Sequence, residues 1–290
     1  MRFHEFASWS AGSLSTLAGL AQPEDWTYRN TTSDRDLPIL YGYMVHTFRR
    51  VHQQGRVTVV EADAGRFACF NTGLLTPHFE RIFGHFVEQT RPEYPQPWFL
   101  EGFFRESDHR LMKFQRLPDR ASYFDEPADL LYDPRLDFRV QYEHIVNDHV
   151  ERFPSRLQSD ERSRTEAVRQ AVRHAQFRVE QNYKTAIPQY YWPAYEDVGK
   201  LQLLLPLSLE DLGRADLALS IDRVGDVYRA ATVLTLDMAY NNARLIARPD
   251  REWLEPLVRP GAAPSTAGDA EDSAEGQRAS VIAEVPSPES

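Results

Sequence analysis

A single cysteine, Cys69, among 290 residues excludes an internal disulfide framework and any zinc site built from several thiolates. Long apolar runs are also missing. The greasiest stretch, Leu201 to Leu209, is short and interrupted by Gln202 and Pro206, and nothing after Met1-Arg2-Phe3-His4-Glu5 resembles a signal sequence. The expectation is a cytoplasmic protein with no membrane association and no disulfide-linked partner. Several chemical signatures are absent too. There is no Gly-rich dinucleotide loop and no His-Glu-x-x-His, and Val198-Gly199-Lys200 lacks the upstream glycine of a phosphate-binding loop. Lysine is scarce: Lys113, Lys184 and Lys200 stand among 33 basic residues, the rest arginine.

The net charge of -10 speaks mildly against a protein that coats nucleic acid. Half of it is confined to the last thirty-one residues, where Asp269, Glu271, Asp272, Glu275, Glu284 and Glu289 face only Arg278. The body therefore leaves room for a locally basic groove. The tail is rich in Pro, Ala, Ser, Gly and acid and lacks aromatics, so it buries too little apolar surface to offset its ordering entropy and is expected to be disordered over 259–290. What remains, with 42% hydrophobic residues, 16 Phe, 13 Tyr and 5 Trp, is long enough for one well-filled domain.

Periodicity orders that domain. The first 55 or so residues read as helical, with Ile39, Leu40, Tyr43, Met44, Thr47, Phe48 and Val51 on one helix face and Gly55 as the stop. Val57 to Glu61 and Arg66 to Asn71 read as a hairpin about Asp63-Ala64-Gly65. Glu80 to Glu88 and Trp98 to Glu106 extend it into an antiparallel meander. Phe138, Tyr142, Ile145, His149 and Phe153 suggest a helix ending at Pro154, with His149 as a core histidine. A long polar helix from about Asp160 to Gln181 carries Val168, Val172, Ala175 and Val179 as its apolar stripe. Leu201 to Leu207 reads as a strand covered on both faces, Leu217 to Asp222 and Val227 to Ala231 flank a Gly225-Asp226 turn, and a last helix is predicted over Thr232 to Ala247. About seven strands with helices in blocks predict an α+β fold over 1–258, with antiparallel sheet pairing and the helices on one face.

Four constellations carry chemistry. Asn182 to Pro193, Asn-Tyr-Lys-Thr-Ala-Ile-Pro-Gln-Tyr-Tyr-Trp-Pro, reads as a loop that collects amides, Lys184 and aromatics. Asn182, Tyr183, Gln189 and Tyr190 suit a planar polar ligand held by stacking and edge hydrogen bonds. Asn71, Thr72 and Gly73 end a strand with an amide, a hydroxyl and a bare glycine N–H. They form either a bulge or a cradle for phosphate or a base edge. His144, Asp148 and Arg152 fall at i, i+4 and i+8, either a solvated helix face or an acid, base and anion clamp. Asp237 with Asn241, and Tyr240 with Arg244, give the closing helix a polar side that either lines a cleft or staples the fold. Cys69 between Ala68 and Phe70 reads as a small buried hydrophobe.

Phe70-Asn71-Thr72-Gly73-Leu74, Tyr183 with Ala186-Ile187-Pro188-Gln189-Tyr190-Tyr191, Leu204-Leu205-Pro206-Leu207, and Asp237-Met238-Ala239-Tyr240 with Ala243-Arg244-Leu245 together resemble family 3825 of the domains of unknown function, over about Trp26 to Trp253. The resemblance implies a bacterial protein and, because such domains accompany LOTUS (OST-HTH) RNA-binding domains, RNA or nucleotide biology. It assigns no residue a role.

The first functional expectation is thus an enzyme that hydrolyses or processes a phosphate ester of RNA or a nucleotide, with no cofactor and no protein-held metal. His144 and Asp148 would do acid and base work with Lys184. Asn71, Thr72, Gly73, Arg152, Asn182, Tyr183, Gln189, Tyr190 and Arg244 would bind substrate. A non-catalytic RNA- or nucleotide-binding module is the alternative, and a protein-interaction scaffold the third. The first two require Asn71, Lys184, Gln189 and Tyr190 to meet around one pocket, with His144 or Arg244 reaching into it.

Overall fold

Helical periodicity and β-branched alternation follow one another in blocks, and the computed structural model, which describes residues 1–249 except 11, 194 and 195, shows the layers they build. Along the chain come α1 (Phe3–Phe6), β1 (Ala7–Ser8), α2 (Ser13–Leu20), α3 (Pro38–Gln53), β2 (Val57–Ala62), β3 (Gly65–Leu75), β4 (Arg81–Glu88) and β5 (Trp98–Arg105). Then follow β6 (Asp137–Val140), α4 (Tyr142–Asn147), α5 (Ser155–Gln158), α6 (Glu161–Gln181), β7 (Ile187–Tyr191), β8 (Lys200–Leu207), β9 (Leu217–Val224), β10 (Val227–Leu234) and α7 (Leu236–Ala243). The architecture is α+β, with two five-stranded sheets ordered β1-β5-β4-β3-β2 and β6-β10-β9-β8-β7. Among the described residues no helix is long and apolar enough to cross a membrane. The predicted acidic tail, and the domain boundary at 258, lie outside the described residues.

The first sheet follows its predicted meander. β2, β3, β4 and β5 pair antiparallel in sequence order, and β1 adds in parallel to the outer edge of β5. α3 begins at Pro38, whose fixed φ suits the first helical turn, and Gly55 just beyond its end takes φ +64°. The face read from periodicity is buried. Phe48 makes ring contacts with Phe3, Phe6, Phe70 and Phe86, and burial of each such side chain contributes about 1.5 to 3 kcal/mol. On the opposite side of the sheet Cys69 packs with Phe67, Phe83, Leu111 and Phe114, and burial pushes its thiol up to about 12. It is the inert hydrophobe expected.

The second sheet departs further from expectation. Among the described residues there are ten strands, not about seven, and two pairings are parallel: β1 with β5 and β6 with β10. Helices also cover both faces of this sheet, not one. Leu203, Leu205 and Leu207 pack with the Val168, Val172, Ala175 and Val179 stripe of α6, while Leu204 and Ala218 pack with Ala239 and Ala243 of α7. Alternation along a strand sends odd and even leucines to opposite faces, so the continuous apolar run is two cores read through one strand. Residues 137–140 form a strand where a helix was predicted, because Phe138 and Val140 also fit period two. α4 stops at Asn147, and His149 sits at φ +58° with its ring on the surface beside Glu151. It is not a core histidine. Thr232 to Leu234 continue β10, as their β-branched side chains favour, and the final helix starts only after Thr235, whose hydroxyl accepts from the Met238 N–H.

The Asn182 stretch likewise contains a strand, Ile187–Tyr191. Asn182 closes α6 and its Oδ1 accepts from the Lys184 N–H at 3.2 Å, capping a single turn before β7 begins. Among the described residues β7 is an edge strand pairing only with β8, which is where Pro188, lacking an N–H, is tolerated. Trp192, just past β7, stacks on His46 of α3 (centroids 6.3 Å, 14° between planes) with the Arg49 guanidinium 4.1 Å from its ring centroid. Burial, helped by Arg49, pushes His46 from 6.5 to about 4. The unfolded chain takes up this proton at its ordinary value and the folded chain resists it, so acid favours unfolding through this group. Stability should therefore fall between about pH 6.5 and pH 4, by up to about 3 kcal/mol from this residue. Urea midpoints across that range should decline more steeply for the wild type than for His46→Phe. Parallel declines would show that His46 is not responsible.

Candidate functional site

Asn71-Thr72-Gly73 is a bulge and a cavity wall at once. The β3–β4 register shifts between Asn71 and Leu75. There Asn71 Oδ1 accepts from the Gly73 N–H at 2.9 Å, while Thr72 Oγ1 donates to the Ile82 carbonyl at 2.7 Å. Gly73 takes φ +77°, and a Cβ there would lie 2.6 Å from Tyr43 Oη, so glycine is required twice over. The bulge thereby turns Asn71 and Gly73 toward a cavity of about 610 Å³.

The other walls come from four segments. α3 supplies Tyr43 and Thr47. Residues 21–26 supply Glu24 and Trp26, residues 119–124 supply Asp119, Arg120, Tyr123 and Phe124, and the chain after α7 supplies Arg244 to Arg248. Arg56 and Arg81 complete the lining. At the floor Arg244 and Glu24 form a two-pronged pair, Nε to Oε1 at 2.6 Å and Nη2 to Oε2 at 2.9 Å, both side chains almost wholly buried. The guanidinium lies 5.1 Å from the Trp26 centroid and 4.8 Å from that of Tyr43. Burial disfavours the Arg244 charge, yet the bonds to Glu24 hold it above the ordinary arginine range. Tyr240 Oη donates to Glu24 at 3.3 Å, and burial together with that carboxylate pushes the phenol up to about 12.

Two anchors hold these walls. Buried Asp237 accepts from the backbone N–H groups of Arg29, Asn30 and Thr31 at 2.8 to 2.9 Å and from the Thr31 hydroxyl at 3.1 Å, fixing the segment that carries Glu24 and Trp26. The 119–124 segment is tied to α3: Arg50 Nε and Gln54 Nε2 donate to the Ser122 carbonyl, and the Tyr123 and Thr47 hydroxyls meet at 3.1 Å. Asn71 Nδ2 reaches the Pro118 carbonyl at 3.3 Å. The polar side of α7 thus both staples the fold, through Asp237, and lines a cleft, through Arg244.

Five arginines, Arg56, Arg81, Arg120, Arg244 and Arg248, line this cavity against two carboxylates, Glu24 and Asp119. In a chain of net charge -10 this is a local reversal of sign. Among the described residues no group of three or more His, Cys, Asp or Glu is placed to hold a metal ion.

Of the residues singled out by sequence, Asn71, Gly73 and Arg244 meet here, with Thr72 buried in the bulge behind them. The expected convergence with the 182–190 residues is not found. Tyr183 is half exposed in the turn before β7, Lys184 is exposed beside it, and neither lines the cavity, nor does Asn182. Gln189 is fully buried in a polar ladder, donating to Gln202 and Ser220 and accepting from Asn242. Tyr190 is core, its ring 4.9 Å from Tyr123 and so one layer behind the wall. The His144, Asp148 and Arg152 line is broken by the end of α4. His144 and Asp148 remain 3.4 Å apart on an exposed surface, while Arg152 Nη1 donates to the Val233 carbonyl. Sequence reasoning missed Glu24, Trp26, Tyr123 and Arg120. The signal available was a Pro-Glu-Asp-Trp segment with no helical or strand period.

An α+β domain of two five-stranded sheets, with an arginine-rimmed, aromatic-walled cavity beside the β3 bulge, defines the class of protein. Residues 17–253 match the domain of unknown function DUF3825, and the chain belongs to that family. No curated protein and no solved structure matches it.

Proposed function

We propose that this domain binds a nucleotide, free or within single-stranded RNA, in the cavity between α3, the β3 bulge and the chain after α7. The observation that carries the reading is the lining: five arginines with Trp26, Tyr43, Tyr123 and Phe124 around about 610 Å³. That volume falls within the roughly 300 to 1,000 Å³ usual for small-molecule sites. Arginine forks match phosphate oxygens and aromatic rings match base faces, a pairing that recurs where single-stranded nucleic acid is held without duplex geometry. His144 and Lys184 lie outside this lining, which favours binding over phosphoester hydrolysis as the reading.

Titration of the purified protein with ribonucleotides and short single-stranded RNAs should give saturable binding. Affinity should weaken roughly two- to threefold per phosphate contact when salt rises fourfold. Arg56→Ala should weaken it further and flatten the salt dependence. Product formation during the titration would add catalysis to the reading. Absence of affinity for every nucleotide and RNA tried would remove it and leave a protein-interaction scaffold.

A further inference from the structure

The charges of the cavity are layered. At the floor, Arg244 is already neutralised by Glu24 with paired contacts of 2.6 and 2.9 Å, and buried Trp26 and Tyr43 flank the pair. A phosphate pushed to this depth would meet the Glu24 carboxylate, and its desolvation would find no uncompensated cation. At the mouth the balance differs. Arg81, Arg120 and Arg248 are exposed and Arg56 half-buried, with Asp119 the acid beside them. Arg81 is engaged by Glu106, Arg56 donates to the Arg120 carbonyl, and Arg248 reaches the Pro23 carbonyl at 3.4 Å. The Arg120 guanidinium makes no hydrogen bond or ion pair among the described residues. Phe124, half-buried, offers a ring at intermediate depth.

Resting on the nucleotide reading above, we infer that the ligand enters base first, stacking against Phe124 and the aromatic floor, with its phosphate held at the mouth by Arg120 and Arg56. The base edge meets the Glu24–Arg244 pair, which offers both an acceptor and donors in one plane. Such an orientation selects a nucleotide whose base is free to insert: a nucleoside monophosphate, or the unpaired terminal residue of an RNA strand. Base-paired RNA is excluded, because its bases are stacked and cannot be offered alone.

The test uses the full chain with the four ribonucleoside 5′-monophosphates, the matching nucleosides and inorganic phosphate. At least one monophosphate should bind, its nucleoside should compete for the same site, and inorganic phosphate should not. Arg120→Ala, an exposed change that leaves the core untouched, should weaken the monophosphate about fivefold and leave its nucleoside unchanged. Competition by a 5′-phosphorylated single-stranded trinucleotide would identify an RNA end as a source, and its failure would identify the free nucleotide; either is compatible with base-first entry. Monophosphate binding matched by inorganic phosphate, or a nucleoside that cannot compete, would overturn the orientation while sparing the nucleotide reading. No binding of any monophosphate or of the trinucleotide would overturn both.

Discussion

Arg244→Ala should lower unfolding free energy by about 3 to 5 kcal/mol, because it strands the Glu24 carboxylate in a buried site without its partner. Tyr240 would remain as a single donor to that carboxylate, and the contacts of the guanidinium with Trp26 and Tyr43 would vanish. The double variant Glu24→Gln with Arg244→Met removes both charges and keeps most of the volume. It should recover much of the loss, since the cost lies in the unpaired ion more than in the missing attraction. Urea unfolding of the three proteins separates these contributions. A single variant within about 1 kcal/mol of wild type would show that water reaches Glu24 and that the floor of the cavity is not dry.

Phe48→Ala is the second large effect, expected at about 3 to 5 kcal/mol. Phe48 sits where four rings from α1, β3 and β4 converge, so its removal leaves a hole bounded by groups fixed on three separate elements, which cannot all collapse inward. Phe48→Leu fills part of that hole and should cost clearly less. Equal losses for the two would mean that ring geometry, not volume, sets the stability of this core.

How much of this was legible in the sequence depended on whether a signal was local. The α3 face, the β2 to β5 meander, the α6 stripe and the Gly225 turn each rest on contacts between near neighbours or on one element's period, and each was read correctly. β6 was not, because four residues pairing in parallel with β10, some ninety positions later, carry no local mark that distinguishes them from a helix turn. The 182–191 segment was misread as a loop because its amides suggest solvent, whereas Gln189 is buried with all its partners on β8, β9 and α7. Within the candidate site, Asn71, Gly73 and Arg244 were recognisable since each is the wrong chemistry for a core at that point in its element. Lys184 and His144 were chosen for rarity and spacing, which report nothing about position in space. Glu24 and Trp26 belong to an irregular segment whose path is set by Asp237, over two hundred residues away.

The Asp237 clasp also dictates a timetable for the newborn chain. Its carboxylate gathers backbone N–H groups 206 to 208 positions earlier, and the core around Phe48 takes in Tyr190, Trp192 and Leu245. At roughly 5 to 20 residues per second, the ribosome needs about 10 to 40 s between delivering Thr31 and delivering its anchor. Throughout that interval the first sheet can form its meander, yet residues 29–31 lack the carboxylate that gathers them and one side of the sheet's core stands open. The amino-terminal half is thus a natural client for chaperones during translation, and its vulnerability to proteases should end abruptly once α7 has cleared the exit tunnel.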